Sequence, residues 1–102
     1  MFGGLKALWH QSGVTASVDG VLREVRKGNA VEAQKWYFKL KKDSYKQAIE
    51  KGITPQQAEA EALATVPRET LSEYLEVVAK LQCPGGIFAE IDDWLLTNDP
   101  LR

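Results

Sequence analysis

Few residues in this chain have both the type and the spacing that chemistry requires. It holds one histidine, His10, and one cysteine, Cys83. They lie near opposite ends, and neither is followed by a second ligand at a metal-binding spacing. Neither a metal site nor a Cys–His nucleophile is therefore expected. His10 reads as incidental and Cys83 as a half-buried structural cysteine at a helix end. Glu90, Asp92 and Asp93 form an acidic cluster, and paired carboxylates do acid–base work when burial splits their pKa values. Here Ile91, Trp94 and Leu95 claim the buried face, which turns Asp92 and Asp93 outward as a solvated face or a docking patch. Gly85-Gly86 opens a helix but is followed by neither lysine nor Ser/Thr, so it reads as punctuation and not as a phosphate loop. The expectation is a chain with no catalytic set, no metal and no cofactor.

What remains is positive charge. Lys35, Lys39, Lys42 and Lys46 recur at helical steps that set them on one narrow stripe. Arg23, Arg26 and Lys27 extend the patch. Such a stripe can follow a phosphate backbone, with Trp36, Phe38 and Tyr45 beside it as stacking surfaces. Against nucleic acid stand a net charge of −1 and a pI near 5.8. The stripe also lacks arginine, the better residue for bidentate phosphate contacts. Long amphipathic helices commonly turn lysines to water. The functional reading is a small helical module that binds another protein, a second copy of itself included, with nucleic acid as the alternative. Trp9 is a further candidate anchor, since Trp36 and Trp94 belong on buried faces and Trp9 does not.

The stripe needs a helix to hold it, and Asn29 to Lys51 is the run with the clearest period. Asn29 reads as an N-cap with Glu32 closing a capping box, and Gly52 suits a left-handed C-terminal cap. Ala33, Trp36, Tyr37, Leu40 and Ala48 lie opposite the lysines. Val31, Phe38, Tyr45 and Ile49 form a second apolar edge beside them. An apolar arc this wide fits a central helix touched by several neighbours. Upstream, Ser17 reads as the N-cap of a helix burying Val18, Val21, Leu22 and Val25, which Gly28 ends in a tight αα-hairpin over 17–51. Residues 1–16, weakened by Gly3 and Gly4, read as an arm folded onto the core. Downstream, Thr54-Pro55-Gln56-Gln57 starts an alanine-rich helix over 54–66 that can pack closely. Pro67 breaks it, and 68–82 carries Leu71, Tyr74, Leu75, Val78 and Leu81 as a buried stripe. Cys83-Pro84-Gly85-Gly86 turns the chain into a last helix, 86–97, with Ile87, Phe88, Ile91, Trp94 and Leu95 on one face.

No segment alternates with the period of two that a strand needs. The fold class expected is all-α: one domain over 1–102, a compact bundle of four to five helices around 29–51. Lys27 to Ala33, with Tyr37 and Leu40 beyond, resembles the turn and second helix of a tetratricopeptide unit. No second copy follows at a step of about 34 residues, and no family is assigned from it. Charge is segregated along the chain. Arg23 to Lys46 holds eight basic residues against three acidic, and Glu50 to Asp99 holds ten acidic against three basic. On separate surfaces the two halves would offer contacts to a polar partner; facing each other they would neutralise inside the fold. One cysteine excludes an internal disulfide and fits a reducing compartment. No stretch approaches the roughly twenty apolar residues of a membrane span, and Lys6 precedes no apolar core of a signal peptide. A cytosolic location is expected.

Overall fold

The computed structural model describes the backbone of residues 2–97 and the side chains of residues 13–96. The chain forms α1 (Phe2–Arg26), α2 (Ala30–Lys51), α3 (Pro55–Leu63), α4 (Arg68–Leu81) and α5 (Ala89–Thr97), with no strand among the described residues. The all-α bundle expected from the period is the fold observed.

Its largest departure from expectation is α1. In place of an arm, a break and a cap at Ser17, the chain runs as one helix of 25 residues. Ser17 is fully buried, and its hydroxyl donates to the Gly13 carbonyl at 2.9 Å, one turn back. A serine inside a helix satisfies itself in this way and needs no helix start. Gly20 lies under the indole of Trp36, where a Cβ would stand 2.3 Å from the ring. That glycine serves close approach of α1 and α2, at a cost of about 1 kcal/mol of helix propensity relative to alanine. Val14, Val18, Val21 and Leu22 then line the buried face of α1.

The hairpin turn into α2 explains a second correction. Gly28 takes a left-handed φ of 74°. Its N–H bonds the Val25 carbonyl at 3.0 Å and the Asn29 N–H bonds the Glu24 carbonyl at 2.9 Å. These two bonds are a Schellman closure of α1, and they make Asn29 its last member. With φ −93° and ψ 80°, Asn29 lacks the extended backbone that aims a capping side chain, and it makes no side-chain cap bond. The expected capping box is absent, and Glu32 pairs instead with Lys35 at 3.1 Å. At the other end of α2 the expectation holds: Gly52 has φ 68°, and the Ile53 N–H reaches the Ala48 carbonyl at 3.0 Å. Thr54 and Gln57 form the expected reciprocal capping box, both bonds at 3.1 Å.

The core gathers the α1 valines, Tyr37 and Leu40 of α2, Ala62 and Leu63 of α3, Val66, Tyr74 and Val78 around α4, and Phe88. Ala58 and Ala62, buried and small, let α3 lie against the bundle. Leu75, expected in the buried stripe of α4, is 51% exposed. Successive helical positions diverge by about 100°, so Tyr74 and Leu75 cannot both point inward, and the larger Tyr74 holds the core. Trp94 is likewise 45% exposed, because α5 turns the adjacent Leu95 inward, next to buried Phe88 just before the helix.

Candidate interaction surface

α5 is fastened to α2 by side chains. Phe88, just before it, stacks on Tyr37 with centroids 4.0 Å apart and rings 9° from parallel. The Tyr37 hydroxyl donates to Asp92 Oδ1 at 2.6 Å and accepts from Gln82 Nε2 at 2.8 Å. Gln82 Nε2 also lies 3.1 Å from Asp92 Oδ2, and Gln34 Nε2 donates to the Ile87 carbonyl at 2.9 Å. Burial, then the hydrogen bond to Asp92, push the Tyr37 phenol well above its ordinary pKa, so it remains a donor. Asp92 therefore faces inward, correcting the outward placement expected from the sequence. A buried phenol requires a partner, and Asp92 is the acceptor that rotating α5 brings to it.

Tyr74 contrasts with it. Its hydroxyl is buried without a hydrogen-bond partner among the described residues. Burial, and then the charges of Glu59 and Asp92, raise its pKa too. Sequence reasoning missed this cluster. The available signal was two tyrosines on core faces, each with a hydroxyl to satisfy. The Tyr37 hydroxyl, the Gln82 amide N–H groups and the Asp92 carboxylate bond one another, and their effect is to hold α5 in register along α2. Among the described residues no three His, Cys, Asp or Glu side chains converge as a metal would require. Two clefts flank α5. One, of about 180 Å³, is lined by Lys41, Tyr45, Glu59, Asp92 and Leu95 among others; the second, of about 370 Å³, is lined by Gln34, Phe38, Glu90, Ile91 and Trp94.

The basic residues divide by where their charge goes. Arg26 pairs with Glu73 of α4. Lys41 pairs with Glu59 at 2.9 Å, largely out of water, and Lys51 with Glu61 at 3.0 Å. In the first two pairs the basic and acidic halves of the chain face each other and neutralise within the fold, and the third closes within the acidic half. Arg23 and Lys27 both reach Glu24, at 3.3 Å and 3.9 Å. Lys39 lies 5.4 Å and Arg23 5.7 Å from the Trp36 ring centroid, a cation–π arrangement on both counts. Lys39, Lys42 and Lys46 have no ion pair among the described residues. Lys39 and Lys46 are exposed and Lys42 half-buried.

Of the aromatic residues beside the stripe, Trp36 and Phe38 are engaged within the fold, and half-buried Tyr45 lines the cleft of about 180 Å³. Trp36 rests against Gly20, and Phe38 meets Trp94 edge to face at 5.7 Å. Aliphatic side chains supply the open apolar surface: Val31 is 61% and Ile49 67% exposed. One face of α2 thus carries exposed apolar side chains in line with lysines, with Trp94 at its border. The side chains of Trp9 and His10 lie outside the described residues. Comparison with protein-family models, with curated proteins and with solved structures finds no match to this chain.

Proposed function

We propose that this protein acts by binding another protein, and not by catalysis, through the open face of α2 and the adjoining rim of α5. The observation that carries the reading is the exposure of Val31, Ile49 and Trp94 beside Lys35, Lys39, Lys42 and Lys46. Isolated exposed hydrophobics are ordinary, but apolar side chains aligned on one helix face with a row of like charge make an adhesive strip with electrostatic steering. Lysines accelerate and orient the encounter with a surface that offers carboxylates, and the apolar residues hold it once water leaves. A cytosolic location accompanies this reading, which the free, exposed thiol of Cys83 suits.

The test is retention of a partner from native cell extract by the immobilised wild type, beside the Lys39→Glu, Lys42→Glu variant. The expected outcome is a defined protein, recovered by the wild type and lost by the variant, with unchanged helical circular dichroism in both. Equal recovery by both would make the stripe a solvated face. Binding of generic DNA or RNA that weakens steeply with salt would point to the nucleic-acid alternative instead.

A further inference from the structure

The border between α2 and α5 is polarised across its width. Around the α2 axis, Val31 lies about 20° from Phe38, and Lys42 and Lys35 about 40° and 60° from it on the same side, at 100° per residue. Gln34 falls on the opposite side of Phe38, where α5 begins: its amide meets the Ile87 carbonyl. α5 then runs alongside α2 in the same direction, with Asp92 at Tyr37 and Trp94 at Phe38. Exposed Glu90 and Asp93 lie about 40° and 100° from Trp94 around the α5 axis, on the side away from buried Leu95. Crossing the border therefore meets lysines, then Val31, Phe38 and Trp94, then carboxylates. The cleft of about 370 Å³ bounded by Gln34, Phe38, Glu90, Ile91 and Trp94 lies within this band.

We infer that the occupant of this face is a second copy of the same chain, related by a two-fold axis through the Phe38–Trp94 contact. The inference rests on the protein-binding reading above and names its partner. With the axis lying in the surface along the apolar band, a half-turn sets the lysine edge of each copy, Lys35 and Lys42, against the carboxylate edge of the other, and apolar band on apolar band. A two-fold interface requires a patch complementary to itself in this sense. A purely acidic partner would meet the lysine edge but set like charge against Glu90. Only a surface with the same charges in reversed order satisfies both edges. The open cleft gives an apolar side chain of the second copy a place to insert. Along α2, about 33 Å long at 1.5 Å per residue, there is room for the roughly 800 Å² per copy of a standard interface.

The experiment is sedimentation equilibrium of the full chain with two charge-reversed variants, Lys35→Glu, Lys42→Glu and Glu90→Lys, Asp93→Lys. The wild type is expected to dimerise at low salt, with a dissociation constant rising about tenfold at high salt as screening shortens the range of the charges. Each variant alone is expected to be monomeric, because like charge then meets like at both edges, and an equimolar mixture of the two to restore a dimer. As a second probe, Val31→Asp is expected to weaken the dimer about tenfold or more, while its helix-start position favours an acidic residue and preserves the fold. A wild type that stays monomeric at about 100 µM in low salt overturns the inference. A dimer indifferent to either reversal, or a mixture that stays monomeric, also overturns it. If the wild type is monomeric yet loses a foreign partner on Lys39→Glu, Lys42→Glu, the inference fails and the protein-binding reading stands. If that partner assay fails as well, both are wrong.

Discussion

Tyr37 and Tyr74 bury the same phenol in different circumstances, and single substitutions separate them. Tyr37→Phe strips a donor from Asp92 and an acceptor from Gln82, and is expected to destabilise the fold by about 1–3 kcal/mol. Tyr74→Phe removes a hydroxyl that has no partner, and is expected to be neutral or stabilising, within about 0.5 kcal/mol. Urea denaturation of the two variants checks the contrast, and equal losses would show that Tyr74 is bonded through water. The raised pKa values also set a pH dependence. Below about pH 10 folded and unfolded chains both hold these phenolic protons, so stability is unaffected by them. Above it the unfolded chain releases protons that the folded chain retains, and stability falls as pH rises. Urea midpoints from about pH 8 to 11 are expected to decline over the alkaline part of that range, and in a Tyr45→Phe background tyrosinate absorbance is expected to appear together with unfolding. Early tyrosinate absorbance from a still-folded chain in Tyr45→Phe would contradict the burial of these two phenols.

At the scale of elements, glycine and serine carry opposite meanings in α1 and in the turns. Gly28 and Gly52 end helices because each adopts positive φ, and both are readable as punctuation. Gly20 has no such backbone demand; it is small because Trp36 of α2 lies on it. Gly20→Ala is expected to lower stability: overpacking costs about 1–3 kcal/mol. Improved helix propensity returns about 1 kcal/mol. In a Trp36→Leu background the same change is expected to stabilise, since the ring is gone and the propensity gain remains. Thermal melts of the four proteins test this, and a Gly20→Ala gain in the wild-type background would show the contact to be loose. The continuity of α1 follows from the same contact. A helix holding four buried aliphatic residues against α2 outweighs the local preferences of its glycines and of Ser17.

For the whole molecule, charge decides what is structure and what is surface. Arg26 and Lys41 of the basic first half reach carboxylates of the second, and Lys51 reaches Glu61 within the second; all three are cross-helix ties. The exposed ties contribute little; Lys41–Glu59, largely out of water, matters more to the seating of α3. Lys39, Lys42 and Lys46 lie outside this set of ion pairs, so their reversal is expected to change binding while leaving the melting temperature within a few degrees. A Lys39→Glu, Lys42→Glu protein that melts far below the wild type would mean the stripe belongs to the fold after all.

Period and punctuation determined the number and kind of helices in the C-terminal four-fifths of the chain, the breaks at Gly28, Gly52, Pro67 and Cys83–Gly86, and the lysine stripe. These are local properties: a helical repeat, a positive φ and a missing N–H act within a few residues of themselves. Only the tertiary structure decided that α1 is continuous, that Asn29 at the N-cap position of α2 also closes α1 and makes no side-chain cap, and that Asp92 turns inward while Trp94 stands at the rim. Each depends on a partner distant in sequence, Trp36 for Gly20 and Tyr37 for Asp92, or on two helix ends sharing one residue. The rotation of a short helix about its axis follows from what its neighbours can fill and satisfy, and that is a property of the assembled bundle.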